Sequence, residues 1–195
     1  MSFLTKPLPV QVEIEKQKFD INADFRLMID FDNIANGNFT KDEKSEKIFK
    51  IISLFFKSKT LEIDKALNAF LWFFTCGESE GSESANAQEP KKSKRAYSFD
   101  ADGELIYSAF LQEYRINLLT IPFLHWWEFR ALLNGLSENC LFKKVIGYRT
   151  IEITKDMPKE QQRTYKKLKK LYQLPDYRSE EEKEQDFVDA LDHLY

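Results

Sequence analysis

The chain contains two histidines, His125 and His193, and this scarcity limits the chemistry that its side chains could perform. Ser–His–Asp catalysis and His-rich zinc sites both need histidines placed beside other reactive residues. His125 and Glu128 stand three residues apart, so on a helix they would share a face and could hold a metal ion. No further histidine lies near them, and a structural histidine is the favoured interpretation.

A second candidate for metal chemistry begins at Asp100, where Asp100, Asp102 and Gly103 resemble the start of a calcium-binding loop. An EF-hand loop has Gly at its sixth position and Glu at its twelfth, whereas the chain has Leu105 and Leu111 there. We therefore interpret Asp100 as the N-cap of a helix. Glycine-rich phosphate-binding motifs are absent from the sequence as well. The sequence predicts no catalytic, cofactor-binding or metal-binding residues, and hence no enzymatic activity.

Two adjacent tryptophans, Trp126 and Trp127, form the most distinctive local pattern. On a helix Trp126 joins the apolar stripe, while Trp127 points about 100° away and shares its face with Arg130 and Asn134. Trp and Arg are enriched at binding hot spots. The candidate partner-binding residues are therefore His125, Trp127, Arg130 and Asn134. The alternative is that a neighbouring element covers Trp127 and makes it a core residue.

Composition narrows the class of protein around these residues. The chain has 195 residues, of which 43% are apolar and 31% charged, with 6 Gly and 6 Pro. So few turn-forming residues do not suit a many-stranded barrel or sandwich. A net charge of −3 excludes a surface built as a whole to hold nucleic acid. Two cysteines are too few for a disulfide framework, and the longest apolar run, 69–76, is too short for a membrane span. These features predict a cytoplasmic protein.

Hydrophobic periodicity predicts a mainly α fold, a helical bundle with a small N-terminal β-hairpin. Residues 10–21 alternate with period 2 around a polar interruption at 16–18, which indicates the hairpin. Thr40 and Glu43 form a capping box before an apolar stripe at helical spacing. An extended stretch is predicted at 148–153. The predicted helices cover 23–35, 40–56, 60–76, 100–114, 121–136 and 158–172.

Four segments are predicted from composition. Residues 1–76 hold the hairpin and a helical half, and residues 97–175 hold a second helical half with the double-Trp helix. Between them, 77–96 contains no Leu, Ile, Val or aromatic residue, so it cannot offset its ordering entropy by burial and is predicted to be a flexible linker. Residues 176–195 form an acidic amphipathic tail.

Charge is segregated along the second half. Residues 143–170 hold ten basic and three acidic residues, a net charge of +7, whereas 176–195 hold two basic and eight acidic residues, a net charge of −6. One interpretation is a basic face for a phosphate backbone or an acidic partner, masked by the tail. The other is two solvated helices with weak mutual attraction.

Several segments resemble a known family of tail-morphogenesis proteins from long-tailed phages and prophages of Gram-positive bacteria. The resemblance covers most of residues 5–176 and leaves the acidic tail outside. The segments that carry it are Trp72–Gly77 (WFFTCG), Tyr97–Asp102 (YSFDAD), Leu124–Leu133 (LHWWEFRALL), Gly147–Thr150 (GYRT), Gln161–Arg163, Tyr165 and Lys169–Pro175.

The resemblance implies a protein encoded between the major tail protein and the tape measure protein. It implies a tail assembly chaperone, a non-enzymatic factor of the host cytoplasm that coats the tape measure protein until tube subunits polymerise. The tape measure protein is then the expected partner, with the major tail protein and self-association as further candidates. Such a chaperone needs apolar grooves between helices rather than catalytic residues or cofactors.

Two other functions stay open from the sequence. The chain could be a structural tail component, such as a terminator or connector, that is retained in the virion. A weaker alternative is a nucleic-acid-binding protein that uses residues 143–170.

Overall fold

The computed structural model describes residues 4–57, 62–77 and 95–176. Over these residues the fold is mainly α, with a two-stranded N-terminal hairpin, as the sequence predicts. Most of the predicted linker and of the acidic tail, 78–94 and 177–195, lies outside the described residues. The elements in chain order are β1 (Gln11–Ile14), β2 (Gln17–Asp20), α1 (Phe25–Asn36), α2 (Lys41–Phe55), α3 (Ile63–Phe74), α4 (Gly103–Tyr114), α5 (Trp126–Asn134), α6 (Leu141–Thr150) and α7 (Lys159–Leu171).

The hairpin turns one residue earlier than predicted. Ile14 pairs with Gln17, so Glu15 and Lys16 form a two-residue loop. Both have positive φ, 49° and 67°, which is the backbone sense of a type I′ turn and matches the twist of the strands. Because neither residue is Gly, Asn or Asp, the sequence gives no signal for this turn.

Helix α2 forms as predicted from its cap and its stripe. The Thr40 hydroxyl accepts a hydrogen bond from the Glu43 N–H at 3.3 Å, and the Glu43 carboxylate accepts one from the Thr40 N–H at 2.8 Å. This capping box satisfies backbone donors that a helix start leaves free. The face that follows is buried, at Ile51, Ile52 and Phe55.

Helix α3 buries only part of the predicted apolar stripe, at Ala66 and Phe70. Helical spacing in the sequence predicts an apolar stripe of Ile63, Ala66, Leu67, Phe70 and Leu71. The exposed fractions of Ile63 and Leu71 are nevertheless 46% and 38%. The buried residues are Ala66, Phe70 and Phe73. Because phenylalanine buries more area than an aliphatic side chain, the helix turns Phe70 and Phe73 toward the core.

Two predicted helix starts are wrong in the second half. Helix α4 begins at Gly103, so Asp102 rather than Asp100 occupies the N-cap position. Helix α5 begins at Trp126, not at residue 121 as predicted. There the Arg26 guanidinium donates to the carbonyls of Leu118 and Ile121 and holds the preceding segment in a turn.

The first half of the stretch predicted as extended, 148–153, is helical, and the second half belongs to no helix or strand. Tyr148 to Thr150 complete the last turn of α6, and the N–H of Ile151 donates to the Gly147 carbonyl at 2.9 Å. Alternation over so few residues cannot distinguish a strand from a helix end.

The two predicted helical halves share one hydrophobic core. The N–H of Phe25 donates to the Leu124 carbonyl at 3.0 Å, and the N–H of Trp126 donates to the Ala23 carbonyl at 2.8 Å. Next to these bonds the Phe25 and Phe129 rings stack with centroids 4.8 Å apart. The contacts around α1 and α5 therefore join the two halves, whose segments lie far apart in sequence.

Limited proteolysis is expected to cut first between residues 77 and 97, because that stretch has no apolar anchor. The two fragments should then stay together on size-exclusion chromatography, since they share the core. Gel analysis with mass spectrometry would identify the cut. A first cut inside 48–74, or separation of the fragments, would contradict this prediction.

Candidate partner-binding site

The two adjacent tryptophans anchor α5 to the end of α3. The indole N–H of Trp126 donates to the Phe74 carbonyl, and that of Trp127 donates to the Phe73 carbonyl, both at 2.8 Å. These carbonyls belong to the last turn of α3, where a helix lacks partners of its own. Two consecutive indoles thus hydrogen-bond to two consecutive carbonyls.

Trp127 lies in the core, contrary to the expectation of an accessible partner-facing side chain. Its exposed fraction is 5%, and its ring meets that of Trp72 edge to face at a centroid distance of 5.6 Å. Gly77, which has a φ of +79°, passes close by, and a Cβ there would lie 3.3 Å from the Trp127 ring. A neighbouring element therefore covers Trp127, which is the alternative that the sequence left open.

His125 is the N-cap of α5, and both ring nitrogens have backbone partners. Nδ1 accepts the Trp127 N–H at 3.1 Å, so the proton of the neutral ring lies on Nε2, which faces the Pro9 carbonyl at 3.0 Å. Burial lowers the pKa of His125 below its ordinary value of 6.5, partly offset by the Pro9 carbonyl and Glu128. His125 is a structural histidine, as the sequence favoured. Among the described residues no group of His, Cys, Asp and Glu side chains could hold a metal ion.

Stability is expected to fall as the pH drops below about 6.5. Because the pKa of His125 is lower in the folded protein, the unfolded chain takes up a proton first as the pH falls. The contribution of neutral His125 to the free energy of unfolding is therefore complete above pH 6.5 and is lost at lower pH. Charging Nδ1 removes the cap, worth about 1 kcal/mol, or about 2–4 °C in Tm for a chain of this size. Thermal melts between pH 7.5 and 5 would measure it.

The matched controls are His125→Asn, which keeps a capping side chain that does not titrate, and His193→Asn, which removes the other histidine. His125→Asn should flatten the pH dependence in this window, and His193→Asn should leave it unchanged. A slope that survives His125→Asn would contradict the assignment.

The other two candidate residues do not extend a shared surface with Trp127. The Arg130 guanidinium lies over the Trp126 ring, 5.5 Å from its centroid, and its buried Nε has no hydrogen-bond partner in the part of the chain that the structure describes. Asn134 is exposed at the end of α5, and its carbonyl accepts the Lys143 ammonium at 3.1 Å. The four candidate residues thus do not form one exposed patch. Their binding of a partner stays a prediction that the fold does not favour.

A buried ion pair that sequence reasoning missed ties α4 to α6. Arg149 donates to both carboxylate oxygens of Asp102, at 2.7 and 2.8 Å. The same guanidinium also reaches the carbonyls of Ala96 at 3.1 Å and Tyr172 at 2.5 Å. The N–H of Ser98 donates to the Asp102 carboxylate at 3.0 Å. Asp102 thus orders the segment before α4 instead of capping the helix through its side chain.

The described residues form a cleft of about 620 Å³ between the end of α1, α2 and the segment that begins at Arg95. Its apolar lining comes from Ile34, Phe39, Ile51 and Leu54. Lysines, asparagines and carboxylates surround them. The remaining lining residues are Asp30, Asn33, Asn36, Gly37, Asn38, Lys47, Lys50, Arg95, Ser98 and Asp100. We call this surface the α1–α2 cleft.

Charged and polar groups at the edge of this cleft are only partly satisfied. Arg95 pairs with Asp32 of α1, whose burial raises its carboxyl pKa against the opposing influence of Arg95. The side-chain oxygen of Asn33, which lines the cleft, is buried and has no hydrogen-bond partner among the described residues. Lys47 sits over the Phe39 ring at 4.9 Å. The cleft therefore offers apolar surface beside polar groups that can accept or donate.

The basic segment 143–170 presents less free charge than its net charge of +7 suggests. The charge of Arg149 is paired with that of Asp102, and Lys143 contacts Asn134 and Glu138. The remaining charge is concentrated on α7, which has no buried residue.

A family model described as "Bacteriophage Gp15 protein" matches residues 4–174. No curated protein and no solved structure matches the chain. Among the described helices none is long and apolar enough to cross a membrane.

Proposed function

Because the chain belongs to the Bacteriophage Gp15 protein family, we propose that it is a tail assembly chaperone that binds the tape measure protein while the phage tail is built, without catalysis. The single observation that carries this proposal is the family match, which spans most of the chain and indicates a phage structural or morphogenesis protein. The tail-specific role rests on the sequence resemblance given above and is inferred by analogy.

The α1–α2 cleft is our proposed binding surface for an amphipathic helix of the tape measure protein. Helix-in-groove recognition uses apolar anchors that enter an apolar groove. Ile51 forms part of the cleft lining, Leu54 is partly exposed in it, and Lys47 and Lys50 lie on its α2 side. Acidic residues beside the apolar stripe of the incoming helix would complement these lysines.

Co-expression with the tape measure protein encoded by the same phage, followed by a pull-down through an affinity tag, tests the proposal. We expect a soluble complex that survives purification and a tape measure protein that is less soluble when expressed alone. Failure of the two chains to co-purify, with both expressed and folded, would contradict the chaperone proposal.

A matched pair of substitutions tests the surface. Leu54→Asp, in the cleft, and Leu119→Asp, outside its lining, alter side chains whose exposed fractions are 52% and 77%. Since both leucines are exposed, neither change should reduce stability greatly. Leu54→Asp should weaken co-purification about tenfold or more, whereas Leu119→Asp should leave it unchanged. Equal binding by both variants would exclude the cleft as the binding surface.

A further inference from the structure

Helix α7 presents an unusually basic and poorly covered surface. Its 13 residues include one acid, Glu160, and none of them is buried. Leu171, near the end of the helix, has an exposed fraction of 71%. The basic residues of α7 are Lys159, Arg163, Lys166, Lys167, Lys169 and Lys170.

One side of α7 is held against the rest of the protein, and the described residues leave the other side exposed. Tyr172, directly after the helix, stacks on Tyr148 of α6 with ring centroids 5.9 Å apart. Its carbonyl accepts the Arg149 Nε–H at 2.5 Å. Within α7 the half-buried residues Tyr165 and Leu168 lie toward this side. Lys167, Lys170 and Leu171 are exposed, so they form part of a basic face with an apolar residue at its C-terminal end.

The chain itself supplies a segment of complementary chemistry beyond Asp176. Residues 177–195 lie outside the described residues and contain seven acidic and two basic residues. Ser179 and Glu182 stand at capping-box spacing. Apolar residues follow at helical spacing, namely Phe187, Leu191 and Leu194.

Residues 177–195 are long enough, and close enough to α7 in the chain, to lie along this helix. The helix is roughly 20 Å long at 1.5 Å per residue, and 19 further residues suffice to run back along it even if they are helical. The connection from Tyr172 to Asp176 contains Leu174-Pro175 and is short, and short connections place consecutive helices antiparallel. In that arrangement residues 180–184, four of which are acidic, would lie beside residues 166–170, four of which are lysines.

We propose that residues 177–195 dock antiparallel along the exposed face of α7, with their acids on its lysines and an apolar residue against Leu171. The docked segment covers the basic face and competes with acidic ligands for it. This intrachain contact is independent of the chaperone proposal, since it concerns a different surface from the α1–α2 cleft. Its charge pairs are exposed and therefore weak and sensitive to salt.

A labelled synthetic peptide of residues 177–195 tests the docking by fluorescence anisotropy against the full chain and a chain that ends at Asp176. Because the tethered segment acts at an effective concentration in the millimolar range, it should exclude the free peptide. We expect the truncated chain to bind the peptide about tenfold or more tightly than the full chain, with binding lost at high salt. Circular dichroism would confirm that the truncated chain is folded.

Charge-matched variants of the truncated chain test whether α7 is the docking surface. Lys167→Glu with Lys170→Glu should weaken peptide binding about tenfold. Lys18→Glu with Lys57→Glu makes the same charge change at exposed residues outside α7 and should leave binding unchanged. Equal weakening by both pairs would show general charge attraction and would overturn the proposal. So would the absence of peptide binding or equal affinity for both chains.

Hydrogen exchange of the intact chain tests the same docking without truncation, and so it also applies if the truncated chain does not fold. Amides of 177–195 should exchange more slowly in the wild type than in the Lys167→Glu, Lys170→Glu variant, and the control pair should match the wild type. Exchange in the wild type at the rate of an unstructured peptide would overturn the proposal. A full chain that is dimeric and becomes monomeric on truncation would assign the segment to a second copy and would also overturn it.

Discussion

Trp127→Ala is expected to lower the free energy of unfolding by about 3–5 kcal/mol, as much as Trp126→Ala. Both indoles are buried, and each donates a hydrogen bond to a last-turn carbonyl of α3. Removal of either ring opens a cavity and leaves a buried carbonyl without its indole donor. Urea denaturation, followed by circular dichroism, would measure both losses.

Trp127→Phe separates the two contributions. It keeps most of the ring packing and removes the N–H, so its cost should be about 1 kcal/mol. The Phe73 carbonyl also accepts the Cys76 N–H at 3.1 Å, which limits the penalty. A Trp127→Ala protein as stable as the wild type would contradict the core position and would return Trp127 to the candidate partner surface.

Asp102→Ala is expected to destabilise the protein by about 3–5 kcal/mol, because it leaves the buried Arg149 guanidinium without its carboxylate. The loss also frees the Ser98 N–H, so the segment before α4 loses its anchor. Thermal and urea unfolding would measure the effect.

Asp100→Ala is the matched control for the ion pair, because Asp100 is exposed and two residues away. It should change stability by less than about 0.5 kcal/mol. A larger loss for Asp100→Ala than for Asp102→Ala would restore Asp100 as the helix cap. The double variant Asp102→Ala, Arg149→Met should recover part of the loss, since it removes the unpaired charge.

Local features of the fold could be predicted from the sequence because their causes are local. The Thr40–Glu43 capping box and the buried face of α2 depend on residues three or four positions apart. The hairpin could be predicted from its alternation, although the turn at Glu15 and Lys16 could not. Neither residue belongs to a type that favours positive φ.

Features that depend on tertiary contacts could not be predicted from the sequence. Asp102 and Arg149 are 47 positions apart, and no periodicity links them, so Asp102 looked like part of a metal-binding loop or a helix start. Both residues do occur in segments that carry the family resemblance, which was the available signal. Helical geometry predicts the angle between Trp126 and Trp127. It does not predict that the end of α3 covers the Trp127 ring.

The most direct test of the chaperone account is quantitative mass spectrometry of purified particles of the phage that encodes the chain, with the tape measure protein as internal reference. An assembly chaperone leaves when tube subunits replace it, so the account predicts that the chain is present with the tape measure protein in infected-cell lysates and absent from finished virions. A constant stoichiometric amount of the chain in finished virions would contradict the account and identify a retained structural component of the tail.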